Sequence, residues 1–118
     1  AGLPVADRGV DRIYAVHVLE HVPDLLAAMA ELHRVLAPHG VLHVLAPHWR
    51  HVNAVADPTH VRLVDVATFK YFCVPQHGTP PWRPVHAATD GATVFADLEP
   101  VVDDVPPLPT AALARWFD

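Results

Sequence analysis

Ten histidines occur in this chain of 118 residues, and the ones best placed for chemistry fall in two short stretches. Imidazole and carboxylate side chains close together can transfer protons near neutral pH or bind a transition metal ion. The first stretch is His17-Val-Leu-Glu-His21, and the second is a thirteen-residue segment from His48 to His60. The candidate residues are His17, Glu20 and His21 in the first stretch and His48, His51, Asp57 and His60 in the second.

The first stretch spells H-x-x-E-H, a string also found in one class of zinc peptidase, where a helix presents both histidines on one face. Here Pro23 follows two residues after the string, so a continuous helix carrying both imidazoles is disfavoured. We therefore predict that His17, Glu20 and His21 are loop residues beside a cofactor or substrate pocket, with catalytic roles.

The second stretch supports two interpretations. Three imidazoles and one carboxylate, from His48, His51, Asp57 and His60, form a suitable ligand set for zinc or another first-row metal. The same segment could instead line the substrate side of a pocket without holding a metal. The sequence leaves both open.

Both stretches are positioned by one predicted βαβ unit. Ile13 to Val18 and Val41 to Ala46 are almost continuously apolar, as in parallel strands covered on both faces. Between them a helix should open at Pro23-Asp24 and end near Pro38-His39-Gly40, with an apolar stripe toward the sheet. Ligands of such sheets bind beyond the carboxyl ends of the strands, which is where both histidine stretches begin.

The rest of the sequence predicts smaller secondary-structure elements. We predict that all of them belong to one domain, residues 1–118. Val64 to Phe72 should form a short helix, and Asp90-Gly91 should turn a β-hairpin between Pro84 to Ala88 and Ala92 to Leu98. Residues 99–118 contain a proline-rich extended segment and a short terminal helix, Thr110 to Phe117, which could contact the body or a dimer partner. The predicted fold class is α/β, with a βαβ core followed by a β-hairpin and a short helix.

Several of these segments together resemble a known family. His17-Val-Leu-Glu-His-Val-Pro-Asp24, Glu31-Leu-His-Arg-Val-Leu-Ala-Pro-His-Gly40 and Asp57-Pro-Thr-His60 are similar to the second half of class I S-adenosylmethionine-dependent methyltransferases that act on small molecules. The similarity covers roughly residues 3 to 72. It implies a truncated Rossmann-like methyltransferase fold, a small-molecule substrate, and S-adenosylmethionine near His17, Val18 and Leu19.

The same resemblance implies that a histidine or Glu20 acts as general base. Two features depart from the family pattern: the five glycines form no G-x-G cluster, and His39 stands where the first glycine of a Pro-Gly-Gly turn is usual. The chain therefore lacks the glycine-rich motif that cradles the cofactor. An alternative function is a cofactor-less, methyltransferase-like subunit, or a metal-dependent enzyme that uses the loop from His48 to His60.

Charge and cysteine content limit the kinds of partner and the cellular location that we expect. A net charge of −5 without a long basic run argues against nucleic acid or an anionic membrane surface as partner. The single cysteine, Cys73, permits no internal disulfide and fits the cytoplasm. Because the first predicted strand would lack a neighbour on one side, we expect a homodimer or a partner chain that completes the sheet.

Overall fold

A computed structural model describes residues 2–74 and 78–118 of the chain. Four strands alternate with short helices along the sequence. The strands are β1 (Val10–Val16), β2 (Leu36–Pro47), β3 (Trp82–Thr89) and β4 (Thr93–Pro100); the helices are α1 (Leu25–Val35), α2 (Val52–Ala56), α3 (Val66–Lys70) and α4 (Ala114–Phe117). Among the described residues, single turns of 3-10 helix lie at Leu19–His21, Tyr71–Cys73 and Thr110–Leu113.

The strands form one mixed sheet in the order β1-β2-β4-β3. β1 and β2 are parallel and are joined through α1, which is the predicted βαβ unit. The hairpin of β3 and β4 then joins the free side of β2, with β4 antiparallel to it. The predicted α/β class, with a βαβ core, a C-terminal hairpin and a short terminal helix, is confirmed.

Helix α1 begins where the sequence predicted and ends earlier. The Asp24 carboxylate accepts a hydrogen bond from the N–H of Ala27, which caps the first turn. The helix ends at Val35, because Leu36 already pairs with Val10 and begins β2. The predicted turn around Gly40 is thus an irregularity within the strand, where an added Cβ would lie 2.8 Å from the carbonyl oxygen of Ala37.

The prediction that both central strands are covered on two faces is wrong. β2 alternates, with Leu42, Val44 and Ala46 fully buried and the residues between them partly exposed. Among the described residues, one face of the sheet packs against a core, to which Met29, Phe69, Phe72 and Leu113 contribute from outside the sheet. β1 is an edge strand, on which Tyr14 is 63% exposed.

The elements that follow β2 in the chain contribute to the packing of the sheet. Asp65 forms a capping box with Thr68 at the start of α3, which directs Phe69 and the following Phe72 into the core, as predicted. The first strand of the predicted hairpin begins earlier than expected, since β3 starts at Trp82 and not at Pro84. The terminal helix docks on the body, where the Trp116 indole donates a hydrogen bond to the carbonyl oxygen of Val85.

No helix within the described residues is long and apolar enough to cross a membrane. The cytoplasmic location inferred from Cys73 stays a prediction. His77, which belongs to neither histidine stretch, lies outside the described residues.

Candidate functional site

The two histidine-bearing stretches meet at the carboxyl ends of β1 and β2. Between them lies an open cleft of about 600 Å³, bounded on a third side by the β3–β4 turn. The residues lining the cleft are His17, Glu20, His21, Pro47, His51, Asn53, Ala56, Asp57, His60, Ala92 and Thr93. The contribution of Ala92 and Thr93 had no signal in the sequence, because it depends on where the hairpin joins the sheet.

The first loop is shaped by an unusual backbone conformation. His17 has a φ of 54°, in the left-handed region, and its N–H still donates to the carbonyl oxygen of Leu45 as β1 ends. The chain then turns through the 3-10 helix Leu19–His21, so the H-x-x-E-H string does not form one continuous α-helix. A single left-handed residue of this kind costs free energy and often marks a functional position.

Glu20 is the most unusual side chain of the site, because it is a carboxylate with only 1% exposure. Neither carboxylate oxygen has a hydrogen-bond partner among the residues that the structure describes. Three imidazoles surround it instead: its Oε2 lies 3.6 Å from Nδ1 of His17, 3.8 Å from Nε2 of His21 and 4.0 Å from Nε2 of His60. The three catalytic candidates of the sequence are therefore close together, with His60 added from the second loop.

A side chain just after the second loop holds the Glu20 turn in place through backbone carbonyl groups. The Arg62 guanidinium donates to the carbonyl oxygens of Leu19 and Val22, which brace the turn that carries Glu20. No sequence pattern pointed to Arg62, since its role depends on a contact across more than forty positions.

The second loop, residues 48–60, has a helix of its own. It contains α2, and the imidazole Nδ1 of His51 caps that helix by accepting from the N–H of Asn53. His48 is buried at the end of β2, with its Nε2 3.2 Å from the Asp65 carboxylate. In this structure His48 and His51 each use an imidazole nitrogen for another contact, and a metal ion shared by His48, His51, Asp57 and His60 stays a prediction.

A different group of ligands lies in the cleft. Glu20, His21 and His60 each offer one ligand atom, and these atoms are within 4.8 Å of one another. Asp57 lies beside this group, with Oδ2 3.5 Å from Nε2 of His60. The hydroxyl and backbone N–H of Thr59 hold the pKa of Asp57 below its usual value, so this carboxylate stays ionised.

The residues expected near the cofactor differ in exposure. His17 and Val18 are exposed, whereas Leu19 is buried in the core. Cys73 is also buried, and burial raises the pKa of its thiol to about 12. It is therefore excluded as a nucleophile at neutral pH.

Comparisons with known proteins agree with this architecture. The sequence model of the family described as "Methyltransferase domain" matches residues 1–44, which include β1, the Glu20 turn and α1. Among solved structures, the YcgJ protein from Bacillus subtilis matches with a TM-score of 0.63 at 14% identity, over 86% of this chain and 68% of that one. A search of curated protein sequences found no match.

A second solved structure is a SAM-dependent methyltransferase from Aquifex aeolicus, with a TM-score of 0.58 and 19% identity over 81% of this chain. The chain spans 50% of that protein, so the likeness concerns part of a methyltransferase fold. The resemblance to class I methyltransferases is confirmed. Together, these matches show that the chain has a methyltransferase-like fold.

Proposed function

We propose that this chain supplies the acceptor side of an S-adenosylmethionine-dependent methyltransferase for a small molecule. The observation that carries the proposal is the buried Glu20 carboxylate beside the imidazole of His17, in a cleft at the carboxyl ends of two parallel strands. Ligands of open α/β sheets bind at this end. A hydroxyl or amine that attacks a methyl group must lose a proton, and an imidazole is suited to accept it.

His17 is the residue to which we assign proton removal. Its side chain is 56% exposed, so an acceptor in the cleft can reach it, and Glu20 lies 3.6 Å from its Nδ1. A carboxylate at that nitrogen orients the ring and stabilises the imidazolium that forms when Nε2 takes the proton. His21 and His60 shield the other side of Glu20 from water.

The cofactor itself is not held by the described residues alone. S-adenosylmethionine would supply the methyl group, but the five glycines stand singly, and Gly40 lies at the opposite end of β2 from the cleft. We propose that His17, Val18 and the backbone of Leu19 form one wall of the cofactor site. The glycine-rich wall would belong to the remaining part of the fold, on the same polypeptide or another.

That remaining part has a suitable place to dock. The outer side of β1 has no strand beside it in the described chain. An adjoining groove of about 620 Å³ runs between β1 and α1, lined largely by apolar side chains that include Ile13, Ala15 and Leu32. An uncovered edge strand next to an apolar groove favours an added strand and helix.

The acceptor site can be tested without knowing the acceptor. Saturation-transfer NMR with a library of small phenols, hydroxy acids and amines should find ligands of the wild-type chain. Ala56→Trp, which fills the cleft from α2, should abolish their binding, whereas Ala111→Trp at an exposed position of the 3-10 turn Thr110–Leu113 should not. Ligands that bind both variants equally would contradict an acceptor site in this cleft.

Cofactor binding is tested separately by calorimetry with S-adenosylmethionine. We expect weak or no binding to the chain alone, because it lacks the glycine-rich motif. A dissociation constant in the low micromolar range would contradict the proposed division of the site. It would instead favour a cofactor site built entirely from these residues.

A further inference from the structure

We propose that Glu20, His21 and His60 form a binding site for one divalent first-row transition metal ion. Their ligand atoms come from both loops and lie within 4.8 Å of one another. This set shares only His60 with the loop predicted from the sequence. The proposal does not depend on methyl transfer, because it concerns an ion and not the cofactor.

The spacing around Glu20 fits an ion better than it fits direct hydrogen bonds. Oε2 lies 3.8 Å from Nε2 of His21 and 4.0 Å from Nε2 of His60, and these distances exceed hydrogen-bonding range. Two ligand atoms of a tetrahedral zinc ion, each about 2.1 Å from the metal, are separated by about 3.4 Å. Shortening these two separations by about 0.4 and 0.6 Å would give that spacing around Oε2.

The burial of Glu20 also supports a bound cation. Its side chain is 1% exposed, and both of its oxygens lack hydrogen-bond partners among the described residues. A buried carboxylate without such partners is unfavourable unless a cation compensates its charge. A divalent ion on the cleft side of Oε2 would provide that compensation.

Both imidazoles are already oriented as metal ligands. Nδ1 of His60 donates to the carbonyl oxygen of Ala54 at 3.1 Å, which leaves the lone pair of Nε2 directed toward Glu20. Nδ1 of His21 lies 3.3 Å from the carbonyl oxygen of Thr59 and 3.0 Å from its hydroxyl. This contact likewise leaves Nε2 of His21 available as a metal ligand. Metal-bound histidines commonly donate their second ring N–H to a backbone carbonyl in this way.

The donor set and the surroundings define the class of ion. Two imidazoles and one carboxylate suit zinc, cobalt or iron, whereas calcium and magnesium prefer oxygen ligands. Asp57, 3.5 Å from Nε2 of His60, adds a second negative charge at the rim. The cleft leaves one side of the ion open for water or for an oxygen atom of a bound molecule.

The experiment is a titration of the chelator-treated chain with cobalt(II), followed by visible absorption, with zinc binding measured by calorimetry. We expect about one equivalent of metal per chain. Glu20→Gln should abolish binding at the concentrations that saturate the wild type. Thr59→Val, which removes a support of His21, should weaken binding about 10- to 100-fold.

His51→Asn is the matched control. It removes an imidazole that lines the same cleft but keeps a side chain able to cap α2, and it should bind metal like the wild type. Loss of binding in this control would overturn the assignment of ligands.

Thermal unfolding shows whether each variant is folded. Without metal, Glu20→Gln should unfold at a higher temperature than the wild type, since it removes an uncompensated buried charge. Metal should raise the unfolding temperature of the wild type and not that of Glu20→Gln. Equal metal binding by the two proteins, or none by the folded wild type, would refute the site.

Discussion

The backbone N–H of Val61 donates a hydrogen bond of 2.9 Å to the carbonyl oxygen of Glu20. This bond joins the loop after β1 to the loop after β2, forty positions apart, at the residue that carries the buried carboxylate. The next residue, Arg62, completes the link through the carbonyl oxygens of Leu19 and Val22. The geometry of the cleft therefore depends on contacts between main-chain groups of the two loops.

Replacement of Arg62 by Ala tests this dependence. It leaves two partly buried carbonyl groups without their charged donor, so we expect the free energy of unfolding to fall by about 2 kcal/mol. Urea unfolding measures the loss. Arg115→Ala, at an exposed position of α4, should change stability little, and an equal loss in both variants would contradict the bracing role of Arg62.

The pH dependence of stability should reveal an ion-pair cluster at the amino end of the chain. Arg34 pairs with Glu31 and with Asp7. The hydrogen bond from Arg34, with a further one from the backbone of Leu3, lowers the pKa of Glu31 from 4.5 to about 2. A lowered carboxyl pKa means that the stabilisation is complete above pH 4.5 and is lost as the pH falls toward 2.

Glu31→Gln should therefore be less stable than the wild type at neutral pH, and the difference should shrink as the pH falls below 4.5. Urea unfolding at several pH values measures it. A difference that stays constant down to pH 2 would show that Glu31 stabilises the chain by some means other than its charge.

His39 offers a test of backbone strain. It has a φ of 64° and a largely exposed side chain, at the position where the resembled family usually has glycine. Replacement by glycine relieves left-handed strain of about 1 kcal/mol, part of which is offset by the greater freedom of glycine in the unfolded chain. We expect His39→Gly to be slightly more stable and His39→Val to be clearly less stable, and calorimetric unfolding temperatures in the reverse order would contradict the strain.

The free edge of β1 leads to a prediction about assembly. We propose that the isolated 12.9 kDa chain forms a homodimer through β1 and the adjacent groove, in place of the remaining part of the fold. Light scattering should give about twice the chain mass. Val16→Lys on β1 should yield monomers, while Val85→Lys on β3, where the valine is equally exposed at 49% against 47%, should not. A wild-type monomer at micromolar concentration would contradict the dimer.

The sequence alone determined the parts of the fold that depend on local chemistry. Asp24 caps α1, Asp65 caps α3 and Asp90-Gly91 turns the β3–β4 hairpin, as predicted, because capping groups and turn residues act within a few positions of the chain. The apolar runs also predicted the parallel pairing of β1 with β2. The meeting of the two histidine stretches followed from that pairing, since parallel strands end at the same edge of the sheet.

The tertiary structure decided which histidines share a site. His48 and His51 are as close in sequence to His60 as a metal loop requires, yet α2 and Asp65 use their imidazoles for other contacts. Glu20 stands out in the site because it is buried, and no residue spacing in the sequence predicted that burial. The burial depends on how the second loop packs against the first. Side-chain direction and exposure are set by contacts between distant segments, so the residue types around the cleft were visible in the sequence, and the grouping of Glu20 with His21 and His60 was not.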